Sequence, residues 1–88
     1  MSDEESMALC AIRYTIGRRT YIVNDGQHWA REWGAKSKWV RDVIRRDLRH
    51  DIERCDEGFS VLGDPHDEAG WRQVLTDLDA IAKEAVNA

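Results

Sequence analysis

Cysteine is scarce in this chain: only Cys10 and Cys55 occur among its 88 residues, and they form no Cys-x-x-Cys pair. No histidine stands at a ligand-like spacing from either thiol, whereas a zinc site needs about four converging ligands. We therefore predict no metal and no other cofactor. Both cysteines are expected to be reduced residues of the core rather than partners in a disulfide.

Long apolar runs are also missing, and no segment approaches the roughly 18 consecutive apolar residues of a membrane-spanning helix. Residues 1–6 are acidic, where a secretory signal peptide would begin with basic residues. No internal repeat, low-complexity tract or long linker divides the sequence. We expect one soluble intracellular domain over residues 1–88, without a membrane partner.

The net charge of −4 is distributed unevenly along the chain. Residues 13–54 carry eleven basic and six acidic side chains, whereas residues 55–88 carry two basic and eight acidic ones. Attraction to a nucleic-acid backbone would therefore have to be local. An acidic surface that meets a basic partner protein fits the same distribution at least as well.

Apolar residues recur every three to four positions in four segments, which predicts an all-α fold, a compact four-helix domain. The first helix is predicted to run from about Glu4 to Ile16, with Ser2 or Asp3 as its cap and Gly17 at its end.

Two further helices have clear start signals. Ser37 is placed to cap the third helix, which is predicted to reach about Cys55 and to form the central scaffold. The fourth is predicted to begin after Asp64, because Pro65 directly follows this capping residue.

The second segment, from Thr20 to Trp33, is ambiguous. Its first residues favour a strand locally, but Gly26, Trp29 and Trp33 continue a helical spacing. We predict a helix capped by Thr20, with Gly26 as a close-packing point, the two tryptophans in the core and Gly34 as the end. The alternative is an α+β fold with a short strand over residues 21–24.

Asp47 and Asp51 fall in or beside the apolar arc of the third helix, where an unpaired carboxylate is costly. One of them is predicted to pair with a guanidinium. This guanidinium comes either from the same helix or from the segment that joins the first helix to the second. The candidates are Arg54, Arg13, Arg18 and Arg19. The functional alternative is a carboxylate pair for general acid and base chemistry. No nucleophile constellation or phosphate cradle accompanies the pair, so we predict that the protein is not an enzyme.

A basic stripe on the third helix is the most suggestive surface feature, and it comprises Lys38, Arg41, Arg45 and Arg49. It could follow a phosphate backbone or meet an acidic protein. The alternative is a solvated face with internal ion pairs at i, i+4 spacing. Trp39 lies away from the apolar arc and either covers a helix end or anchors a partner.

The start of the fourth helix offers a competing binding surface, made by Asp64, Asp67 and Glu68. The alternative for these acids is helix capping together with a favourable interaction with the helix dipole.

Three strings resemble a family of small uncharacterised proteins encoded by bacteriophages and prophages, and the resemblance covers most of the chain. They are residues 11–21 (AIRYTIGRRTY), residues 44–48 (IRRDL), and residues 62–64 (LGD) followed by Gly70-Trp71. The resemblance carries no catalytic residues across. It implies an accessory protein of the host-takeover or anti-defence kind, such as an anti-CRISPR protein, and a location in the cytoplasm of a bacterial host cell.

The expected function is therefore that of a phage-derived inhibitor that occupies a host defence complex through charged helix faces. The second hypothesis is a small nucleic-acid-binding regulator that uses the basic stripe. The target protein and the oligomeric state stay open, since helices this amphipathic in so short a chain could complete their core in a homodimer.

Overall fold

The computed structural model describes residues 2–18 and 21–87, which form four helices and no strand. The helices are α1 (Asp3–Thr15), α2 (Tyr21–Lys36), α3 (Lys38–Asp56) and α4 (Pro65–Asn87). The predicted all-α, four-helix fold is confirmed. The strand alternative is wrong, because residues 21–24 form the first turn of α2. The helical spacing of buried residues over the whole segment outweighs the local β preference of four residues.

The predicted helix starts are confirmed where the structure describes them. The Ser2 hydroxyl accepts a hydrogen bond from the Glu5 amide at 3.1 Å, and the Ser2 amide donates to the Glu5 carboxylate at 3.0 Å, which together form a capping box. Ser37 accepts from the Val40 amide, and Asp64 accepts from the Asp67 amide. The predicted cap of α2, Thr20, lies outside the described residues.

Gly34 does not end α2, contrary to expectation, because the helix continues to Lys36. Gly34 is buried at the point where Leu78 of α4 packs against α2, and a Cβ atom at this position would overlap the Leu78 methyl groups. Gly34 thus permits the close approach of α2 and α4 and does not end the helix. Only Ser37 separates α2 from α3.

Helices α2 and α3 form the centre of the fold, since each of them contacts the other three helices, while α1 and α4 do not touch within the described chain. The predicted role of α3 as the central scaffold is thus shared with α2. Predicted close packing at Gly26 is confirmed: the Thr15 side chain of α1 occupies the space that a Cβ atom of Gly26 would fill. The buried apolar core draws on all four helices and on the loop before α4. It comprises Leu9, Ile12, Val23, Ala30, Val40, Ile44, Leu48, Leu62, Trp71, Val74 and Leu78.

The loop between α3 and α4 is fixed by Leu62, which is fully buried, and by Val61, which packs against the core. Phe59 stays exposed, with the Arg54 guanidinium 5.2 Å from its ring centre. In the described part of the chain, none of the helices has the length and apolar character that crossing a membrane requires.

Candidate interaction surface

Arg41 is buried, and the prediction that it belongs to an exposed basic stripe is wrong. Its side chain is only 7% exposed, and Nη1 donates a 2.7 Å hydrogen bond to the carbonyl oxygen of Gly34. That carbonyl belongs to the last turn of α2, where helix carbonyls lack an intrahelical donor. Arg41 therefore caps the end of α2 and joins it to α3.

The other three basic residues of the stripe are exposed or half-buried, and acidic side chains already hold them. Lys38 contacts Asp42 at 2.6 Å. Arg45 and Arg49 both contact the same oxygen of Asp79 in α4, at 2.7 and 3.0 Å. The predicted alternative of internal pairing is thus observed. Lys38 and Asp42 pair at the expected i, i+4 spacing, whereas the partner of Arg45 and Arg49 comes from another helix.

Asp79 was missed by the sequence reasoning because it lies thirty residues beyond Arg49 in the chain. Only the antiparallel packing of α3 and α4 brings it beside the arginines. A second cross-helix contact, between Arg72 and Asp56 at 2.6 Å, fixes the other end of the same pair of helices. Each such surface ion pair contributes about 0–1 kcal/mol to stability.

An open cleft of about 370 Å³ runs along the outer side of α3. We call its lining the α3 charged face, and it consists of Asp42, Arg45, Arg46, Arg49, His50 and Glu53. Arg46 has the most exposed arginine side chain of this face, at 70%, and its Nε lies 3.6 Å from Oδ1 of Asp47. The sequence reasoning did not include Arg46 and His50, although both fall at helical spacing beside the predicted stripe.

Asp42 shows how strongly the signs are mixed on the α3 charged face. The hydrogen bond from Lys38 lowers the pKa of the Asp42 carboxyl below its usual value, so that Asp42 stays ionised between its basic neighbours. Arg45 approaches the same carboxylate at 3.9 Å. The face presents alternating cations and anions rather than a continuous positive strip.

A second cleft, of about 320 Å³, lies where the end of α1 meets α3, and it contains the predicted carboxylates. The predicted ion pair is confirmed for Asp47, whose Oδ2 lies 2.8 Å from Nε of Arg13. Asp51 forms no ion pair within the described chain. Burial is the main reason that the pKa of Asp51 is raised, and the Asp47 charge raises it further, while His50 and Arg54 act in the opposite direction.

Trp39 is partly buried and packs against the core. The acidic residues at the start of α4 also make contacts within the fold or are buried in it. Asp64 caps the helix by accepting from the Asp67 amide at 2.8 Å, and Asp67 is only 9% exposed. Glu68 accepts a hydrogen bond from Nε of Arg72 at 3.1 Å. The capping alternative accounts for Asp64, whereas Glu68 is held by an ion pair along the same helix.

Trp29 and Trp33 are only partly buried, although both pack against the core as predicted. Together with Ala8 and Ala11 of α1 they line an open groove of about 190 Å³, which we call the Trp groove. The ammonium group of Lys36 lies 3.9 Å from the centre of the Trp33 ring, at one side of the groove.

The two cysteines are free thiols with different surroundings. Cys10 is exposed on α1, so its predicted place in the core is wrong: at about 100° per residue it lies well away from Ile12 around the helix. Cys55 packs against the core, and burial is the main cause of the raised pKa of its thiol. Over residues 2–18 and 21–87, no three potential ligand side chains converge as a metal site requires.

No family model, no curated protein and no solved structure matches this chain.

Proposed function

We propose that this protein is a phage-derived inhibitor that binds a host defence complex through the α3 charged face. The observation that carries the proposal is the open surface along α3, on which the half-buried Arg45 and the exposed Arg49 are already oriented by the carboxylate of Asp79. Arginine is enriched at the centres of protein interfaces, and side chains that are held before binding lose less conformational entropy on binding. The likeness to small phage proteins supplies the biological setting.

The mixed signs of the α3 charged face favour a protein partner over a phosphate backbone. Asp42, Asp79 and Glu53 stand among the arginines, and each of these carboxylates repels a polyanion. A protein that presents its own alternating charges would meet complementary groups along the same face.

To test the inhibitory role, the protein is expressed in a bacterium that has active CRISPR–Cas interference. Challenge with a phage that this defence targets is expected to give more plaques than in cells carrying an empty vector. Plaque numbers equal to those of the empty vector would contradict the anti-CRISPR role.

The binding surface is tested separately, by mixing the protein with the purified defence complex and following co-elution in size-exclusion chromatography. Arg46→Glu reverses one exposed charge on the α3 charged face and is expected to weaken binding at least tenfold. Lys83→Glu makes the same charge change on an exposed position of α4 and is the matched control. Equal effects of the two variants would show that the α3 charged face is not the contact surface.

A nucleic-acid-binding regulator is the second candidate, and the exposure of Lys38, Arg46 and Arg49 along one helix favours it. Electrophoretic mobility shifts measured over a salt series distinguish the two candidates. Phosphate contacts must weaken steeply as salt rises, with a slope of about one per contact on logarithmic axes. Absence of any shift at low salt would exclude this alternative.

A further inference from the structure

The outer face of α1 carries an apolar stripe that no other part of the described chain covers. Met7 is 72% exposed and Tyr14 is 59% exposed, and Ala11 is exposed between them. These positions follow the spacing of three and four residues that typifies a helix packed lengthwise against another helix. The stripe begins at the acidic Glu4 and ends at the basic Arg18. We call these five residues the α1 stripe.

Arg18 belongs to the α1 stripe although α1 itself ends at Thr15. Its Nε donates a 3.1 Å hydrogen bond to the carbonyl oxygen of Tyr14, and its guanidinium lies 4.4 Å from the centre of the Tyr14 ring. These two contacts hold the positive charge at the Tyr14 end of the stripe. Glu4, in the first turn of α1, places a negative charge at the other end.

This arrangement of charges is complementary to itself when reversed. If two copies of α1 pack antiparallel with Ala11 near the crossing point, Glu4 of one protomer faces Arg18 of its partner, and the reverse contact follows by symmetry. The small side chain of Ala11 permits a close approach of the two helices. A parallel arrangement would instead place equal charges opposite each other at both ends.

The Trp groove lies beside the α1 stripe, because Ala11 belongs to both and Ala8 is its neighbour on α1. In the antiparallel arrangement the Tyr14 ring of each protomer reaches the Ala8 end of its partner's groove, next to Trp33. A large ring against small alanines and a half-buried tryptophan gives the knob-into-hole contact that helix pairs require.

We propose that this protein forms a symmetric homodimer through the α1 stripe, with α1 of the two protomers antiparallel. The distance from Glu4 to Tyr14 along α1 is about 15 Å, at 1.5 Å per residue. So short an interface is typical of weak, reversible association. The dimer is independent of the proposed inhibitory function, because the α3 charged face is not part of it.

Sedimentation equilibrium over a concentration series tests the dimer, with the 10.2 kDa chain as the monomer. We expect a reversible rise toward twice this mass, with a micromolar dissociation constant. Ala11→Glu puts like charges at the crossing point and is expected to weaken the dimer at least tenfold. Ala80→Glu makes the same change at an exposed position of α4, which does not contact α1, and is expected to leave the dimer unchanged.

A charge exchange tests the antiparallel direction. Glu4→Arg and Arg18→Glu, made singly, are each expected to weaken the dimer severalfold, and the double variant is expected to restore it. Thermal melts followed by circular dichroism confirm that each variant is folded.

Three results would overturn the proposal. The first is a protein that stays monomeric up to millimolar concentration. The second is an Ala11→Glu variant that dimerises as the parent does, which would mean that another face forms the dimer. The third is a double charge variant whose dissociation constant is as weak as those of the two single variants. Arg46→Glu serves as a further control, since it is expected to impair binding of the defence complex without changing the dissociation constant of the dimer.

Discussion

The side chain of Thr15 in α1 lies directly against the backbone of Gly26 in α2, in the space that any larger residue at position 26 would need. The Thr15 hydroxyl is buried and donates a 2.7 Å hydrogen bond to the carbonyl oxygen of Ile12, so the side chain is not free to move aside. This contact sets how closely α1 approaches α2. The Trp groove depends on the same approach, because one helix supplies its alanines and the other its tryptophans.

Gly26→Ala is therefore expected to destabilise the fold. Overlap with the stiff, branched Thr15 costs about 1–3 kcal/mol, and the better helix propensity of alanine returns at most about 1 kcal/mol. Urea denaturation measures the difference in the free energy of unfolding. The double variant Thr15→Ala/Gly26→Ala should lose less than the sum of the two single losses, since the first change removes two of the three overlapping atoms. Strict additivity would show that the two residues do not touch.

Gly34→Ala is expected to cost less than Gly26→Ala. A Cβ atom at position 34 meets chiefly the methyl ends of Leu78, and these can rotate. We expect a change within about 1 kcal/mol, because the gain in helix propensity offsets much of the overlap. The same urea titration ranks the two variants. A larger loss for Gly34→Ala would mean that α4 is held more rigidly against α2 than α1 is.

Arg41→Met keeps much of the buried stem of the side chain but removes the donor to the Gly34 carbonyl oxygen. Leaving this buried acceptor unpaired is expected to cost about 1–3 kcal/mol. Arg46→Met, on the exposed α3 charged face, should stay within about 0.5 kcal/mol of the parent. Thermal unfolding of both variants compares them. Equal stability would contradict the capping role of Arg41.

Asp47→Asn and Asp51→Asn are expected to act in opposite directions at neutral pH. The first loses the ion pair with Arg13 and should cost less than about 1 kcal/mol. The second should stabilise the fold, because burial raises the pKa of Asp51 above its ordinary value of 3.8 and so penalises the charged form in the folded state.

The sign of the pH dependence follows from linkage. Between its ordinary pKa and its raised pKa, Asp51 binds more protons in the folded state than in the unfolded state, so its contribution to stability falls as pH rises through this window. The advantage of Asp51→Asn should therefore be full above the raised pKa and vanish below about pH 3.8. Unfolding free energies measured from pH 3 to pH 8 check this. A constant difference across the range would contradict it.

Local sequence signals predicted the helix starts well, because a cap involves residues only a few positions apart. Ser2, Ser37 and Asp64 each accept the backbone hydrogen bond that their position implies. Glycine was harder to interpret. Gly17 follows the end of α1 with a φ of 84°, but Gly34 lies inside α2, and nothing near it in the sequence indicates that Leu78 packs there.

The candidate binding surface was predicted only in part. Helical spacing predicted that Lys38, Arg45 and Arg49 are neighbours on one helix. In the structure all three lie on α3 and are at least partly exposed. Arg41 shares that spacing but turns toward the end of α2. The distribution of charge depends on Asp79, which no pattern within α3 could indicate.

The sequence alone determined the helical class, three of the helix starts and much of the core, because these follow from periodicity and from capping between near neighbours. The tertiary structure decided which charges are paired, which arginine is buried and which face of α1 stays uncovered. Those properties depend on contacts between residues tens of positions apart, and their partners are set by how the helices pack against one another.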